Sequence, residues 1–362
     1  MSITTKLTEL LGVQHPVMLA GMGGIAGKEL VGAVGRAGGF ATFGAAVSVS
    51  NDGPEELRAQ LREIRALCGG APYGVDLLVH GAEGGVMPQL IKVFAEEGAR
   101  AFISGRGFPR RDVIDKFHAA GMVVGAIAGK VSHATRAAAE GVDFVIVQGA
   151  EGGGHTGAIA LSVLLPLVVD AVGDRVPVVA AGGIFAGRGL AAALALGAQG
   201  VWVGTRFMMT PEAETHAGYK AHLLRASADD TVVTRAFTGA PLRALANDYT
   251  RRHERETLLL RAAKELPPSV ADAAKALPKP KPAGVARSLA EGAWELHGGF
   301  GKELDLAKLD YGKQAFVTGQ CIGAIDALLP AAEIVTSMVR DAVHVLSGRA
   351  QHFKIGPGAA KL

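Results

Sequence analysis

Cysteine is nearly absent: the 362 residues contain only Cys68 and Cys321. The two lie far apart without a ligand-like neighbourhood, so neither a disulfide framework nor a zinc site is expected, no metal is assigned, and a reducing cytoplasm is the expected compartment. Charge of one sign is lacking too. The formal net charge is +3 and Lys and Arg are scattered, which argues against nucleic acid or an anionic membrane as partner while leaving a small anionic ligand open. No apolar leader follows Met1-Ser2-Ile3, where Glu9 interrupts the first turn of chain, and no export is expected. The most apolar stretch, 161–172, contains Pro166 and Asp170 and is far shorter than the roughly 20 residues of a membrane helix.

What the chain has is apolar residues and glycine. With 49% hydrophobic and 20% charged residues, it can bury a large core as one big α/β domain or two ordinary ones. Its 50 glycines exceed the usual share of about 7% and fall mostly at the ends of apolar runs, as tight strand-to-helix turns would require. Eight runs read as strands, each followed by turn residues and most by an Ala-rich amphipathic segment: 16–20, 39–44, 74–78, 99–104, 122–128, 143–148, 177–181 and 200–203. Helices are expected to start near Gly27, Pro54, Met87, Pro109, Ser132, Ser162, Arg188 and Pro211, with Ser132 as an N-cap. Continuous apolar runs such as Phe144-Val145-Ile146-Val147 suit strands buried on both faces of a parallel sheet. Eight of them predict an α/β fold, a closed (β/α)8 TIM barrel; a doubly wound open sheet would leave edge strands in need of cover.

The pattern changes after the eighth run. Residues 1–211 are expected to form the barrel. Residues 212–318 read as an appended helical region: charged, helix-like sequence over 212–260, then a connector with Pro267, Pro268, Pro278, Pro280 and Pro282 that could form a lid. Within it Lys279-Pro280-Lys281 suits exposed linker better than a basic contact site. Residues 319–362 are expected to supply a closing helix around 322–339 and a tail packed back on the barrel.

In a parallel barrel, ligand and catalytic groups sit at the C-terminal strand ends. Ala181-Gly182-Gly183-Ile184 after strand seven and Gly204-Thr205-Arg206 after strand eight would let backbone amides converge on phosphate oxygens. One glycine pair alone would be a tight turn; two pairs at adjacent strand ends favour phosphate, without saying which cofactor carries it. After strand six, Gln148-Gly149-Ala150-Glu151-Gly152-Gly153-Gly154-His155-Thr156-Gly157 reads as a flexible glycine run bringing an imidazole over the barrel mouth, as base or cationic anchor. After strand one, Ala20-Gly21-Met22-Gly23-Gly24 could accept a planar ring against small residues and a polarizable sulfur, although a glycine turn explains it almost as well. Asp76, Ser104 and Lys130 complete a polar ring; each alone could be a cap or solvated side chain. His80 and the Gly84-Gly85 turn lie where they could shape the pocket.

The glycine-histidine segment, the Ala181-Gly182-Gly183-Ile184 turn and the stretch from Gly197 to Phe207 resemble the nitronate monooxygenase family, formerly 2-nitropropane dioxygenases, over about residues 10 to 250. Weaker echoes lie in Gly239-Ala240-Pro241-Leu242-Arg243, Asn247 and Gly319-Gln320. The resemblance implies FMN as cofactor. Ala20, Gly21 and Met22 would lie near its ring system, Lys130 and Gln148 would contact the flavin, and Gly182, Gly183, Gly204 and Thr205 would hold the phosphate. Asp76, Ser104, Gly153, Gly154 and Ala181 are further candidates for cofactor contact, and His155 for catalysis. The family commonly has Gln and Pro where this chain has Leu19 and Gly21, and Asn where it has Asp76; a carboxylate there would disfavour an anionic reduced flavin. The implied activity is oxidation of alkyl nitronates, and of nitroalkanes if His155 removes their α-proton, by O2 to a carbonyl compound and nitrite. The alternative is an NAD(P)H-dependent flavin reductase acting on a quinone or enoyl thioester, with a redox-silent phosphate-binding barrel behind it. A homo-oligomer is left open.

Overall fold

The computed structural model describes residues 1–45, 53–78, 87–265, 288, 293 and 310–348. His80, Gly84-Gly85, the Pro/Lys connector and the tail beyond 348 lie outside the described residues.

The chain enters through a short helix, α1 (Lys6–Leu11), started by a capping box between Thr5 and Thr8 and stopped by Gly12 in the left-handed region. Eight parallel strands follow: β1 (Val17–Leu19), β2 (Ala41–Gly44), β3 (Tyr73–Leu78), β4 (Ala101–Arg106), β5 (Val123–Ala128), β6 (Phe144–Gln148), β8 (Val178–Ala181) and β9 (Gly200–Val203). A two-residue β7 (Gly154–His155) falls between β6 and β8. The hydrogen-bonded order is β1-β9-β8-β6-β5-β4-β3-β2, and the ring closes where Met18 of β1 bridges Phe40 just before β2, with Leu19 N–H donating to Phe40 O at 2.8 Å. The predicted barrel is therefore observed, with all eight strands within two residues of the sequence reading. Side chains pointing inward fill its lower half, among them Met18, Phe40, Ile103, Phe144, Ile146 and Val179, and α1 plugs the base with Leu7 and Leu11. A barrel floor packed this way leaves only the C-terminal mouth open for a ligand.

Six helices lie on the outside between consecutive strands: α2 (Lys28–Arg36), α3 (Gly53–Cys68), α4 (Met87–Glu96), α5 (Arg111–Ala119), α6 (Val131–Glu140) and α7 (Leu161–Val172), followed by α8 (Gly187–Ala195) between β8 and β9. Ser132 is not the cap of α6; the helix begins one residue earlier with Lys130 at the N-cap position. After β9 the expected helix near Pro211 is instead a single turn, α9 (Thr205–Met208), and a separate α10 (Ala217–Leu223). One turn cannot cover the β9–β1 seam. That cover comes from the closing helix α12 (Ala331–Gly348), which packs on α8 and α2 and buries Ile334, Val335, Met338 and Val339. It starts later than predicted because Pro330, which lacks an N–H, suits the residue just before a helix rather than its interior; Ile322 lies in a separate 3-10 turn, Gln320–Ala324.

The region after 212 is not wholly helical. β10 (Thr231–Thr234) and β11 (Leu242–Leu245) form an antiparallel pair, and β11 also pairs with β7. β-branched Val232 and Val233 and the Gly239-Ala240-Pro241 turn account for the hairpin. Helix α11 (Asp248–Glu265) follows, capped by Asn247, whose Oδ1 accepts the Thr250 amide. Among the described residues no helix is long and apolar enough to cross a membrane.

Buried Arg206 ties the end of the barrel to the approach to α12, donating from Nη2 to Met209 O at 3.0 Å and Ala327 O at 2.7 Å. Replacing it by Met leaves two carbonyls without their charged donor, so R206M is expected to lower unfolding stability by about 2–4 kcal/mol, read as a lower urea midpoint at unchanged slope.

Candidate active site

The barrel mouth encloses a cavity of ≈ 380 Å³, within the size range of small-ligand and cofactor sites. Its wall comes from strand ends all round the ring: Ala20, Gly21 and Met22 after β1, Asp76 on β3, Gly105 on β4, Ile127 on β5, Gln148 on β6, Ala181, Gly182 and Gly183 at β8, and Trp202, Gly204 and Thr205 at β9. The roof is made by Gly152, Gly153, Gly154 and His155, by Thr238 and Leu242 beside the hairpin, and by the returning segment Val317, Thr318, Gly319 and Cys321. Two predicted members stand elsewhere. Lys130 is exposed at the start of α6, and Ser104 is buried with its hydroxyl donating to Gly107 O at 3.1 Å; neither lines the cavity.

The glycine run before His155 is stapled rather than flexible. Gln148 Nε2 donates to His155 O at 2.8 Å, Thr156 Oγ1 to Gly149 O at 3.0 Å, and buried Arg243 Nε to Ala150 O at 3.0 Å. The Glu151 carboxylate accepts the Leu161 amide at the start of α7. From the other side the returning segment locks in, with Gln320 N–H on Glu151 O at 3.0 Å and Gly319 N–H on Thr205 Oγ1 at 2.9 Å. At Gly153 a Cβ would stand 2.5 Å from the Thr318 carbonyl carbon, so glycine is what allows the roof and the return to touch. His155 pairs with Leu242 in the small sheet, and its Nε2 lies 3.0 Å from Thr238 Oγ1. This places an exposed imidazole on the cavity rim with Nε2 held by Thr238.

The described wall carries no lysine or arginine. Polar capacity at β8 and β9 therefore rests on backbone and one hydroxyl. Gly182 and Gly183 have φ of +99° and +73°, a turn open to glycine; the register of Ala181 with Trp202 turns the Gly182 amide toward β9, and outside the strand ladders and helices the amides of Gly183 and Gly204 donate no backbone hydrogen bond among the described residues. Amides left unpaired at the edge of a cavity fit an anionic oxygen cluster such as a phosphate. Burial pushes the Cys321 thiol up to about 11, so it is a neutral wall group near pH 7 rather than a nucleophile. Asp76 is also neutral there: burial raises its carboxyl to about 8 against the opposing hydrogen bond from the Gly105 amide. Among the described residues no group of three or more His, Cys, Asp or Glu could hold a metal ion.

The sequence reading missed Thr238 and the wall residues 317–319 and 321. Thr238 is 83 positions from its imidazole partner and carries no local signal; only the pairing of β11 with β7 brings it there.

Strand-end glycines, a roofed mouth and one imidazole on the rim define a (β/α)8-barrel protein with a cofactor-sized cavity at its C-terminal face. The chain belongs to the nitronate monooxygenase family of oxidoreductases, whose model matches residues 4–86 and 80–341. It is 32% identical to a nitronate monooxygenase of Pseudomonas aeruginosa, over 68% of this chain and 80% of that one. It is 41% identical to an octahydroindene-carboxyl-CoA dehydrogenase of Mycobacterium tuberculosis, over 70% of this chain and 69% of the relative. Among solved structures, FabK from Thermotoga maritima superimposes with a TM-score of 0.76 at 29% identity, covering 97% of this chain and all of that one. A nitroalkane oxidase from Streptomyces ansochromogenes does so at 0.72 and 26%, covering 94% and 99%.

Proposed function

We propose that the cavity holds FMN and that the protein oxidises alkyl nitronates with O2 to a carbonyl compound and nitrite, with His155 as the catalytic residue. The amides of Gly183 and Gly204, with the Thr205 hydroxyl and the tight turn at Gly182, would receive the phosphate. Ala20, Gly21, Met22, Gln148, Gly153, Gly154 and Ala181 would surround the ring system, and Asp76 would meet it from β3. FMN, when bound, supplies an acceptor for electrons from the substrate and a route from there to O2.

The observation that carries the reading is His155. No lysine or arginine is on the described wall, so a protonated His155 is the cationic group there that can anchor a nitronate, and its neutral form is the base for an α-proton. The stapled loop keeps the imidazole at the mouth. Thr238 acts as a positioning residue by holding Nε2. T238V is expected to lower kcat about 10- to 100-fold at unchanged FMN content, with T238S restoring most of it; equal kcat in T238V and wild type would remove Thr238 from that role.

A second reading is supported by the 41% identity to a CoA-ester dehydrogenase and the likeness to FabK: the same site would take electrons from NAD(P)H or from a thioester substrate. Purified protein is tested first for released FMN, then mixed without oxygen with propyl nitronate, NADH, NADPH and an acyl-CoA in separate runs. Loss of the oxidised flavin absorbance with nitronate alone supports the first reading. Loss with a nicotinamide or thioester alone moves the assignment to the second, and colourless protein that takes up no FMN overturns both.

A further inference from the structure

On the β3 side the cavity wall contains a buried carboxyl group with no counter-charge among the described residues. Asp76 is 9% exposed, and Gly21 and Gly105 lie so close on either side that a Cβ on either would overlap its carboxyl group. Its hydrogen bond comes from the Gly105 amide. On the strands packed against β3 its register partners are the uncharged Gly44 on β2 and Ile103 on β4, and Arg106 at the end of β4 pairs with Leu78 rather than with Asp76. The other titratable groups on the described wall, His155 and Cys321, come from the roof and do not enter its balance. With no cation beside it among the described residues, burial pushes the carboxyl up to about 8, toward the neutral acid near pH 7. A neutral acid has one O–H to donate, and a buried donor calls for an acceptor.

The strand order says which part of a ligand supplies that acceptor. Round the closed ring β1-β9-β8-β6-β5-β4-β3-β2, the pair β3 and β4 stands directly opposite the pair β8 and β9. A mononucleotide whose phosphate sits at Gly182, Gly183 and Gly204 therefore has to extend across the mouth, carrying the remote, ring end of the molecule toward Asp76. The two carbonyl oxygens and N1 of a flavin's pyrimidine ring are acceptors of the kind required.

We propose that Asp76 stores a proton at the edge of the bound FMN ring and donates it there as a hydrogen bond, so that cofactor reduction is coupled to the protonation of this residue. The inference rests on the FMN reading above. Two electrons and one proton entering FMN leave a net negative charge on the ring. That charge strengthens the Asp76 hydrogen bond and makes the acid hold its proton more tightly. Below about pH 8 Asp76 already has its proton, and reduction takes up one proton per two electrons. Above it Asp76 starts as a carboxylate, and reduction takes up a second proton from solvent, which goes to Asp76.

The test is a redox titration of FMN-loaded wild type, D76N and D76A from about pH 6 to about pH 10, with FMN content measured on each. In wild type the pH slope of the midpoint potential is expected to double above about pH 8, each proton per two electrons contributing about 30 mV per pH unit. D76N, which keeps a donor but cannot titrate, should show no such break. D76A should show no break and a lower potential at neutral pH. Infrared spectra of the holoprotein at pH 7 should contain a protonated-carboxyl band in wild type that is lost in both variants. The same slope in wild type and D76N, or no such band in wild type, overturns the inference with FMN still bound. Wild type that binds no FMN overturns the cofactor reading instead.

Discussion

Replacing His155 by alanine is expected to lower kcat for a nitronate by about 10²- to 10⁴-fold, the usual contribution of a positioned acid or base, while FMN stays bound. The imidazole is exposed on the cavity rim, so its loss creates no core cavity. The backbone pairing of His155 with Leu242 and the Gln148 bond to His155 O at 2.8 Å do not involve the side chain. Loss of turnover should therefore come without loss of flavin absorbance or of thermal midpoint. A substrate that arrives already as a nitronate needs His155 only as a cationic anchor, whereas a neutral nitroalkane also needs its α-proton removed. H155A should accordingly harm the nitroalkane more than the nitronate. Wild-type turnover in H155A would remove this residue from the chemistry, and flavin loss would make its role structural.

The second large effect is expected at the β8 turn. Gly182 has φ of +99°, and a Cβ there would lie 3.0 Å from Gly149 O and 3.2 Å from the amides of Gly149 and Gly152. A β-branched side chain in that conformation costs of order 1–3 kcal/mol locally and turns the neighbouring amides away from a common point. Each amide-to-phosphate bond lost removes about 1.5–3 kcal/mol. G182V is thus expected to bind FMN about 100-fold or more weakly and to purify colourless, with the far-ultraviolet circular dichroism of the folded barrel. A yellow G182V protein with a full complement of FMN would contradict a phosphate site at β8 and β9.

These two sites were legible in the sequence for the same reason. A parallel barrel strand is an apolar run that ends abruptly in glycine, and a glycine pair or a glycine run ending in histidine at such an end is conspicuous. The helix boundaries were read less well. Ser132 looked like a cap because its side chain could bond the backbone, yet the helix starts at Val131. The stretch with β10 and β11 looked helical because its charged residues are compatible with both structures, and only pairing with β7 gives the hairpin a third strand. Lys130 and Ser104 sit close to strand ends in sequence, but the chain turns them outward or into a local hydrogen bond to Gly107.

By itself the sequence determined the barrel, the end of it that carries the cavity, and the glycine run that brings His155 to the cavity rim, because alternation of strand and helix and the placement of glycine are local properties. Only the tertiary structure decided that α12 closes the seam left by the single turn α9, that Thr238 holds His155, and that Gly319 meets Thr205. It also decided that Asp76 is buried, which pushes its carboxyl up to about 8. Contacts between distant segments and the loss of water around a buried group exist only once the ring has closed and the C-terminal chain has packed back across its mouth.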